Sequence, residues 1–170
     1  ELWSGNIIYL KQCIEQSHSS LANRSRSESD YRNHFAVSMQ AIALFGSLTP
    51  SSQSEAHPDD MVAFTKAHAG TGRLDYAIVL ANPDTGRANE LGVPIEFKLI
   101  PSNNLDNADK RERLAQQELD QIDSRRYAQT LSSCIRLVKI GCAIGMGVFH
   151  AKAQLMVRDD SGAQWTPLLT

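Results

Sequence analysis

Three ionisable residues near the middle of the chain have the types and the spacing that divalent-metal chemistry requires. Asp75 directly precedes the apolar run Tyr76–Ala81, while Glu96 and Lys98 both lie in a second apolar run, Val93–Leu99. Because side chains along a strand alternate between its two faces, Glu96 and Lys98 share one face of the second run. If the two runs pair as strands, Asp75 can lie beside Glu96 on that face.

This grouping needs a physical explanation, because Asp, Glu and Lys are rarely buried unless they are paired or bind a metal. Two neighbouring carboxylates suit Mg²⁺, which usually takes one or two of them and leaves its other positions to water and substrate phosphate. A lysine beside them can reach a phosphate oxygen, so the three residues indicate metal-assisted hydrolysis of a phosphodiester. The alternative is a surface ion pair between Glu96 and Lys98, with Asp75 at the start of a strand.

The surrounding patterns predict the elements that must position these residues. An Asn-Pro-Asp-Thr-Gly stretch at 82–86 predicts a turn between the two apolar runs, which then form a strand, a turn and a strand. Further strands are predicted at 61–64, 137–146 and 148–157, and helices at 3–22, 28–45 and 110–131. This order predicts an α/β (α+β) fold in which helices flank a mixed central sheet. We expect 1–23 to be a packing helix and 24–170 to be the main domain.

Glu28 is an unusual residue of the second predicted helix. It follows Ser27, which favours helix capping, and it lies on the same helical stripe as Tyr31 and Phe35. A carboxylate on that stripe can point at the site. The alternative is that Glu28 is only a favourable negative charge in the first turn of a helix.

The third predicted helix places two glutamines in its apolar stripe. That stripe is formed by Leu114, Gln117, Gln121, Ala128 and Leu131. A buried amide needs hydrogen-bond partners, and it can bind a phosphate without adding negative charge. The alternative is that the amide ties the helix to a strand.

Three sequence blocks occur together in an order that is typical of one group of nucleases. They are Gly70–Asp75 (Gly-Thr-Gly-Arg-Leu-Asp), Ile95–Leu99 (Ile-Glu-Phe-Lys-Leu) and Gln121–Ala128 (Gln-Ile-Asp-Ser-Arg-Arg-Tyr-Ala). In these blocks the chain resembles the PD-(D/E)XK nuclease superfamily, and more closely its branch with Gly-x-Gly-Arg-x-Asp, Ile-Glu-Phe-Lys and Gln-Ile-x-x-x-x-Tyr motifs. That branch includes domains of unknown function beside AAA-ATPase-like proteins, and similar domains occur in multidomain toxins and effectors. The resemblance spans roughly residues 28–153 and implies a restriction-endonuclease-like fold.

The resemblance also implies roles for the residues of the central pair. Asp75, Glu96 and the backbone carbonyl of Phe97 would ligate Mg²⁺ or Mn²⁺. Lys98 would position or deprotonate the attacking water. Glu28 would hold a metal-bound water or a second ion.

The resemblance further implies that residues of the third block, Gln121–Ala128, would bind the substrate phosphate or support the residue that does. Gln121 would orient it and Tyr127 would support Gln121, with Gln117, one turn earlier, as the alternative register. Arg125 and Arg126 could meet a phosphate backbone, although acidic Glu112, Glu118, Asp120 and Asp123 interleave on the same helix.

At two basic positions the sequence allows more than one interpretation. Arg73 either reaches substrate phosphate or pairs with a neighbouring carboxylate. The family tends to carry a lysine at the turn that here reads Ala143–Gly147, and this chain lacks it. Lys152 or His150 could take its place.

Composition limits the class of protein. The 170 residues suit one domain, and the net charge of −2 means that any nucleic-acid-binding surface must be local. Three cysteines without CxxC spacing indicate reduced thiols in a cytosol-like compartment. No apolar run is long enough for a membrane span, and we expect no membrane partner. The start at Glu1 suggests a domain excised from a longer protein.

The leading expectation is a Mg²⁺- or Mn²⁺-dependent nuclease, with DNA favoured over RNA as substrate. The rival is a catalytically silent module of the same fold that binds a protein partner, such as a cognate antidote (inhibitor) of a toxin. Degenerate copies usually lose the Asp, the Glu or the Lys. Asp75, Glu96 and Lys98 are all present, which favours the enzyme.

Overall fold

The computed structural model describes Ser27, Glu28 and Asp30, and the ranges 61–65, 68–69, 72–82, 87–146, 148–158 and 164–167. The predicted helix at 3–22 and most of the predicted helix at 28–45 lie outside these residues, as does Cys13. Cys134 and Cys142 are free, buried thiols. Within the described ranges, no helix is long and apolar enough to cross a membrane.

The described residues contain eight strands and one α-helix whose two ends are both described, and Glu28 and Asp30 are also helical. In chain order the strands are β1 (Met61–Thr65), β2 (His68–Ala69), β3 (Gly72–Arg73), β4 (Tyr76–Asn82), β5 (Arg87–Leu99), β6 (Arg136–Gly145), β7 (Val148–Arg158) and β8 (Trp165–Pro167). The helix, α1, spans Ala108–Ser124 and is bracketed by 3₁₀ turns at Ser102–Asn104 and Tyr127–Leu131.

Six of these strands form one mixed sheet in the order β1-β4-β5-β6-β7-β8, and β2 pairs with β3 in a small separate ribbon. β5 and β6 are parallel, whereas the other neighbours in the sheet are antiparallel. A parallel pair needs a long crossover connection, and α1 lies in the segment that makes it. The predicted mixed α/β fold class is confirmed, and so are the strand pair around the predicted turn and the later strand pair.

The two faces of the sheet differ because successive side chains of a strand point to opposite sides. One face carries a continuous apolar cluster, formed by Tyr76, Ile78, Leu91, Val93, Ile95, Phe97, Val138, Ile140, Cys142, Ile144 and Leu155. The opposite face carries Glu96 and Lys98, and α1 packs on it. The chemistry-bearing residues therefore lie on the helix-covered face.

α1 approaches this face most closely at Gly141 of β6. A Cβ atom at Gly141 would lie 2.2 Å from the carbonyl oxygen of Ala115 and 2.3 Å from the backbone nitrogen of Leu119. The helix backbone thus touches the strand backbone, which only glycine permits. Gly141 is also the register partner of Glu96, so this contact sets the height of α1 beside that carboxyl group.

The predicted third helix was wrong in its end and in its buried stripe. α1 ends at Ser124, because Arg126 adopts a left-handed backbone conformation (φ 57°) that turns the chain into the following 3₁₀ turn. Ala128 and Leu131 belong to that turn and pack in a separate apolar cluster. The residues of α1 that are buried are Ala115, Glu118, Leu119 and Ile122.

The contact at Gly141 leads to a stability prediction. Gly141→Ala should lower the free energy of unfolding by about 2 kcal/mol or more, because the added methyl group meets helix backbone that can move only as a unit. Gly92→Ala is the matched control, since its added methyl meets the ends of the Leu137, Cys134 and Leu131 side chains, and its loss should be smaller. Urea denaturation measures both. Equal losses would contradict the proposed contact.

Candidate active site

β5 runs past the end of β4, and the carboxylate of Asp75 occupies the space that this leaves. The last register pair between the two strands is Tyr76 with Ile95, so residues 96–99 of β5 extend beyond β4 and form what we call the open edge. There the N–H of Phe97 donates to Oδ2 of Asp75 at 3.1 Å. The sequence predicts Asp75 beside Glu96, and the structure brings these two side chains together while Oδ2 of Asp75 binds the next residue's N–H.

Glu28 reaches the same open edge from the N-terminal part of the chain. The N–H of Asp30 donates to Oγ of Ser27 at 3.2 Å, and the N–H of Ser27 donates to Oδ2 of Asp30 at 3.0 Å. This reciprocal arrangement is a helix cap, which confirms the cap predicted at Ser27. Glu28 follows directly, and its Oε2 accepts a hydrogen bond from the N–H of Leu99 at 3.3 Å.

Glu96 lies next to Asp75 and is almost completely buried, with 2% of its surface exposed. Its pKa is raised from 4.5 to about 9, mainly because burial disfavours the charged form. The negative charge of Asp75 and a hydrogen bond between the two side chains raise it further, and Glu118 adds a smaller effect. The backbone N–H of Asp75 acts in the opposite direction. At neutral pH Glu96 therefore carries a proton when no cation is bound.

One carboxyl oxygen of Glu96 is buried and lacks a hydrogen-bond partner among the described residues. Oε1 is inaccessible to solvent, and nothing in the described part of the chain hydrogen-bonds to it. A buried carboxyl oxygen without a partner is costly, so such atoms in folded proteins call for an explanation. A proton or a bound cation would supply one.

Lys98 lies on the same face of β5 as Glu96, but it is exposed. It lies two residues farther along the open edge than Glu96, whose register partner Gly141 is the point where α1 packs on the sheet. The ammonium group of Lys98 opposes the rise in pKa that burial causes at Glu118.

Glu118 is the site residue that the sequence reasoning missed. The sequence indicates Glu118 only as one of the acidic residues that interleave along the helix, yet it is only 5% exposed and belongs to the sheet-facing stripe of α1. Burial raises its pKa, and the charges of Asp75 and Glu28 raise it further. Its spacing from Ala115 and Ile122, one turn on either side, was the available signal. We call Asp75, Glu96, Glu28 and Glu118 the carboxylate cluster.

The two glutamines are placed differently by α1. Gln121 is half-buried and lies one turn after Glu118, on the flank of the helix that also carries Arg125. Gln117 is exposed. Of the two glutamines, Gln121 is therefore the one on the partly covered side of the helix, near Glu118 in sequence.

Tyr127 is completely buried, so it supports the site without direct access to a substrate. Its hydroxyl group donates to the carbonyl oxygen of Arg73 at 2.9 Å and accepts from Nη1 of Arg125 at 3.4 Å. The first bond ties the end of α1 to β3, just before Asp75. The second raises the pKa of Arg125, and the charges of Glu96 and Glu118 add to that rise.

Three arginine side chains are exposed around this end of the helix. They belong to Arg73, Arg125 and Arg126. The influence of Glu96 and Glu118 on Arg125 shows that this guanidinium group borders the carboxylate cluster. Arg73 and Arg126 are exposed near the same end of the helix, in a chain whose net charge is −2.

His150 and Lys152, the suggested substitutes for the missing family lysine, are engaged elsewhere. Nε2 of His150 lies 2.5 Å from Oε2 of Glu112, and Nζ of Lys152 lies 2.7 Å from Oε1 of the same residue. Both side chains come from β7 and meet α1 on its flank away from β4 and β5. This placement separates them from the open edge.

The donor atoms at the open edge fit a hard divalent cation. Asp75 and Glu96 supply carboxylate oxygens, and the carbonyl group of Phe97 points to the same side of β5 as its N–H, toward Asp75. In the described ranges no three His, Cys, Asp or Glu side chains gather closely enough to enclose an ion. Two carboxylates and a carbonyl match Mg²⁺ or Mn²⁺, which keep water and substrate oxygens as further ligands.

Comparison of the chain with protein-family models, with curated proteins and with solved structures found no match in any of the three. The functional assignment therefore depends on the geometry of this chain and on the motifs in its sequence.

The buried carboxyl group of Glu96 predicts how stability depends on pH when metal is chelated. The folded chain keeps a proton on Glu96 between pH 4.5 and about 9, whereas the unfolded chain has released it. Stability should therefore fall as pH rises through this window, by about 3 kcal/mol between pH 4.5 and 7. Glu96→Gln should remove most of this dependence, as measured by urea denaturation at several pH values in EDTA.

Glu112→Gln is the control for this experiment. The ion pairs with Lys152 and His150 lower the pKa of Glu112, so its stabilising effect appears as pH rises and is lost as pH falls. That variant should keep the fall in stability that Glu96 causes. An unchanged pH dependence in Glu96→Gln would contradict the buried, protonated carboxyl group.

Proposed function

We propose that this chain is a Mg²⁺- or Mn²⁺-dependent nuclease that hydrolyses phosphodiester bonds of DNA. The observation that carries the proposal is the buried carboxyl group of Glu96, which lies against Asp75 with one oxygen unpartnered, two residues before an exposed lysine. The motifs that resemble the PD-(D/E)XK superfamily contain these same three residues.

The physical support is the crowding of negative charge. Two carboxylates separated by ~4 Å repel each other by about 4 kcal/mol at an effective dielectric constant of about 20. A fold that tolerates this repulsion in a buried place has to neutralise it. Purely structural needs would be met by an amide or an apolar residue, whereas cation binding requires the carboxylates.

The residues around the carboxylate cluster suit phosphodiester hydrolysis. A bound Mg²⁺ or Mn²⁺ would act as a Lewis acid toward the phosphate and would lower the pKa of a coordinated water. Lys98 is exposed on the same strand face, where its ammonium group can stabilise the negative charge that develops on the phosphate oxygens. Gln121 offers a neutral amide one turn after Glu118.

A nucleic acid is the substrate class that the charge distribution favours. Arg73, Arg125 and Arg126 are exposed near the carboxylate cluster, so a polyanion would find cations beside the site although the chain as a whole is slightly acidic. The preference for DNA over RNA rests on the family resemblance.

The direct test is nicking of supercoiled plasmid by the purified chain with Mg²⁺, with Mn²⁺ and with EDTA. We expect conversion to open-circle and linear forms that depends on the cation. Failure to cut DNA or single-stranded RNA with either cation would contradict the proposal. Such a result would favour the silent, protein-binding module.

Lys98→Ala should reduce the rate of cleavage by ~10²–10³, because the ammonium group acts mainly where charge develops in the transition state. Circular dichroism should show an unchanged fold, since the side chain is exposed. Lys110→Ala is the control, because Nζ of Lys110 contacts only the surface residue Asn104 in the described chain, at 2.7 Å. Wild-type cleavage by a folded Lys98→Ala variant would rule out the assigned role.

Gln121→Leu should slow cleavage without lowering stability, because its amide lies one turn after Glu118 and an apolar replacement suits a half-buried helix position. Gln117→Leu, one turn earlier on the exposed side, should leave cleavage unchanged. Plasmid nicking and thermal melting of both variants decide between them. The reversed result would mean that Gln117 faces the substrate.

A further inference from the structure

Glu118 is a buried carboxylate without an apparent structural purpose. It lies in the sheet-facing stripe of α1 between Ala115, Leu119 and Ile122, where an apolar residue would pack at lower cost. No hydrogen bond or ion pair of its side chain is found within the described ranges. By contrast, Lys139, which is buried under the same helix, has its partner in Asp123, with Nζ 2.7 Å from Oδ2.

The position of Glu118 in the fold is well defined. Its backbone lies directly above Gly141, because a Cβ atom at Gly141 would come within 3.0 Å of the Glu118 carbonyl carbon. Gly141 is the register partner of Glu96, and neighbouring strands lie about 4.8 Å apart. The backbone of Glu118 therefore lies above β6, the strand next to Glu96, in the helix layer that covers the sheet.

Charged groups close to Glu118 influence its pKa. They are Lys98, Asp75, Glu28 and Arg125, of which Lys98 lies on the open edge while Asp75 and Glu28 bind its backbone N–H groups. Lys152 and His150 of β7 instead contact Glu112, on the other flank of α1. Glu118 thus lies in the helix layer above the strand next to Glu96, close enough for the open-edge residues to act on it.

We infer that Glu118 is a positioning carboxylate of the cation site, which strengthens binding of Mg²⁺ or Mn²⁺ from the helix side through the water that the cation retains. This inference rests on the proposed function, since it needs a cation at Asp75 and Glu96. The unpartnered, buried Oε1 of Glu96 is independent evidence for a ligand between the two layers. Mg²⁺ sites usually keep several waters, and carboxylates that hold such waters typically change metal affinity roughly 10–100-fold.

A simple ion pair between Glu118 and Lys98 is the alternative, and the two explanations predict opposite effects. If Glu118 only neutralises Lys98, Glu118→Gln should lower the melting temperature of the metal-free protein and leave cation affinity unchanged. If Glu118 serves the cation, the metal-free variant should melt at or above wild type, because a buried negative charge has been removed from a repulsive cluster. Its cation affinity should then fall.

The experiment is a titration of the metal-free full chain with MnCl₂, followed by calorimetry and by the electron paramagnetic resonance of free Mn²⁺. We expect Glu118→Gln to weaken the Kd for Mn²⁺ roughly tenfold or more. Glu112→Gln is the matched control, since it removes a carboxylate from the same helix on the other flank, and its Kd should equal that of wild type. Asp75→Asn, which removes a proposed ligand, should bind Mn²⁺ least.

The outcomes separate this inference from the proposed function. Wild-type Mn²⁺ affinity in Glu118→Gln, together with lost affinity in Asp75→Asn, would overturn the role of Glu118 and leave the nuclease proposal intact. Absence of Mn²⁺ binding in wild type, or equal binding in Asp75→Asn, would overturn both. If Glu118→Gln fails to fold, Glu118→Asp provides the same measurement, because it keeps the charge but retracts the carboxylate, and wild-type affinity there would also contradict the inference.

Discussion

The site depends on one mismatch in strand length, the extension of β5 beyond β4. A sheet edge that ends abruptly leaves backbone N–H groups that need acceptors. Here the acceptors are carboxylates, with Asp75 on the N–H of Phe97 and Glu28 on the N–H of Leu99. The backbone therefore gathers negative side chains at the end of β5, next to the buried Glu96. The carboxylates that accept hydrogen bonds from these N–H groups are thereby grouped in a way that suits cation binding.

α1 contributes to this arrangement because its two flanks carry different charged residues, and those on one flank are held by partners from the sheet. Its contact with Gly141 prevents the helix from sliding or rising, and partners from the sheet hold the flank that faces away from β4. There, Lys139 binds Asp123, while His150 and Lys152 bind Glu112. With these ion pairs in place, the opposite flank presents Glu118, Gln121 and Arg125 to the open edge.

Local patterns in the sequence were sufficient for the central strands but not for their full extent. The predicted runs 76–81 and 93–99 do pair as strands, and alternation placed Glu96 and Lys98 on one face, but β5 begins at Arg87 and β8 had no signal in the sequence. Most of the predicted turn at 82–86 lies outside the described residues. The end of α1 could not be predicted in this way, because Arg126 adopts a left-handed conformation that residues other than glycine rarely take. The buried stripe of α1 was missed for a non-local reason. Gly141, in another element, decides which side of the helix can approach the sheet, and so decides that Glu118 is buried.

Glu96 is buried and Lys98 is exposed although both lie on the same face of β5, and this difference affects the chemistry that each side chain can perform. Both residues point to the same face, but α1 and Asp75 cover the first, whereas the second lies farther along the open edge. Burial raises the pKa of Glu96, so under the proposed function a divalent cation would have to displace a proton there. The exposed ammonium group of Lys98 would then be able to meet a substrate phosphate from solvent. In that proposal the cation would bind on the covered side of this strand end and a polyanion would approach from its open side.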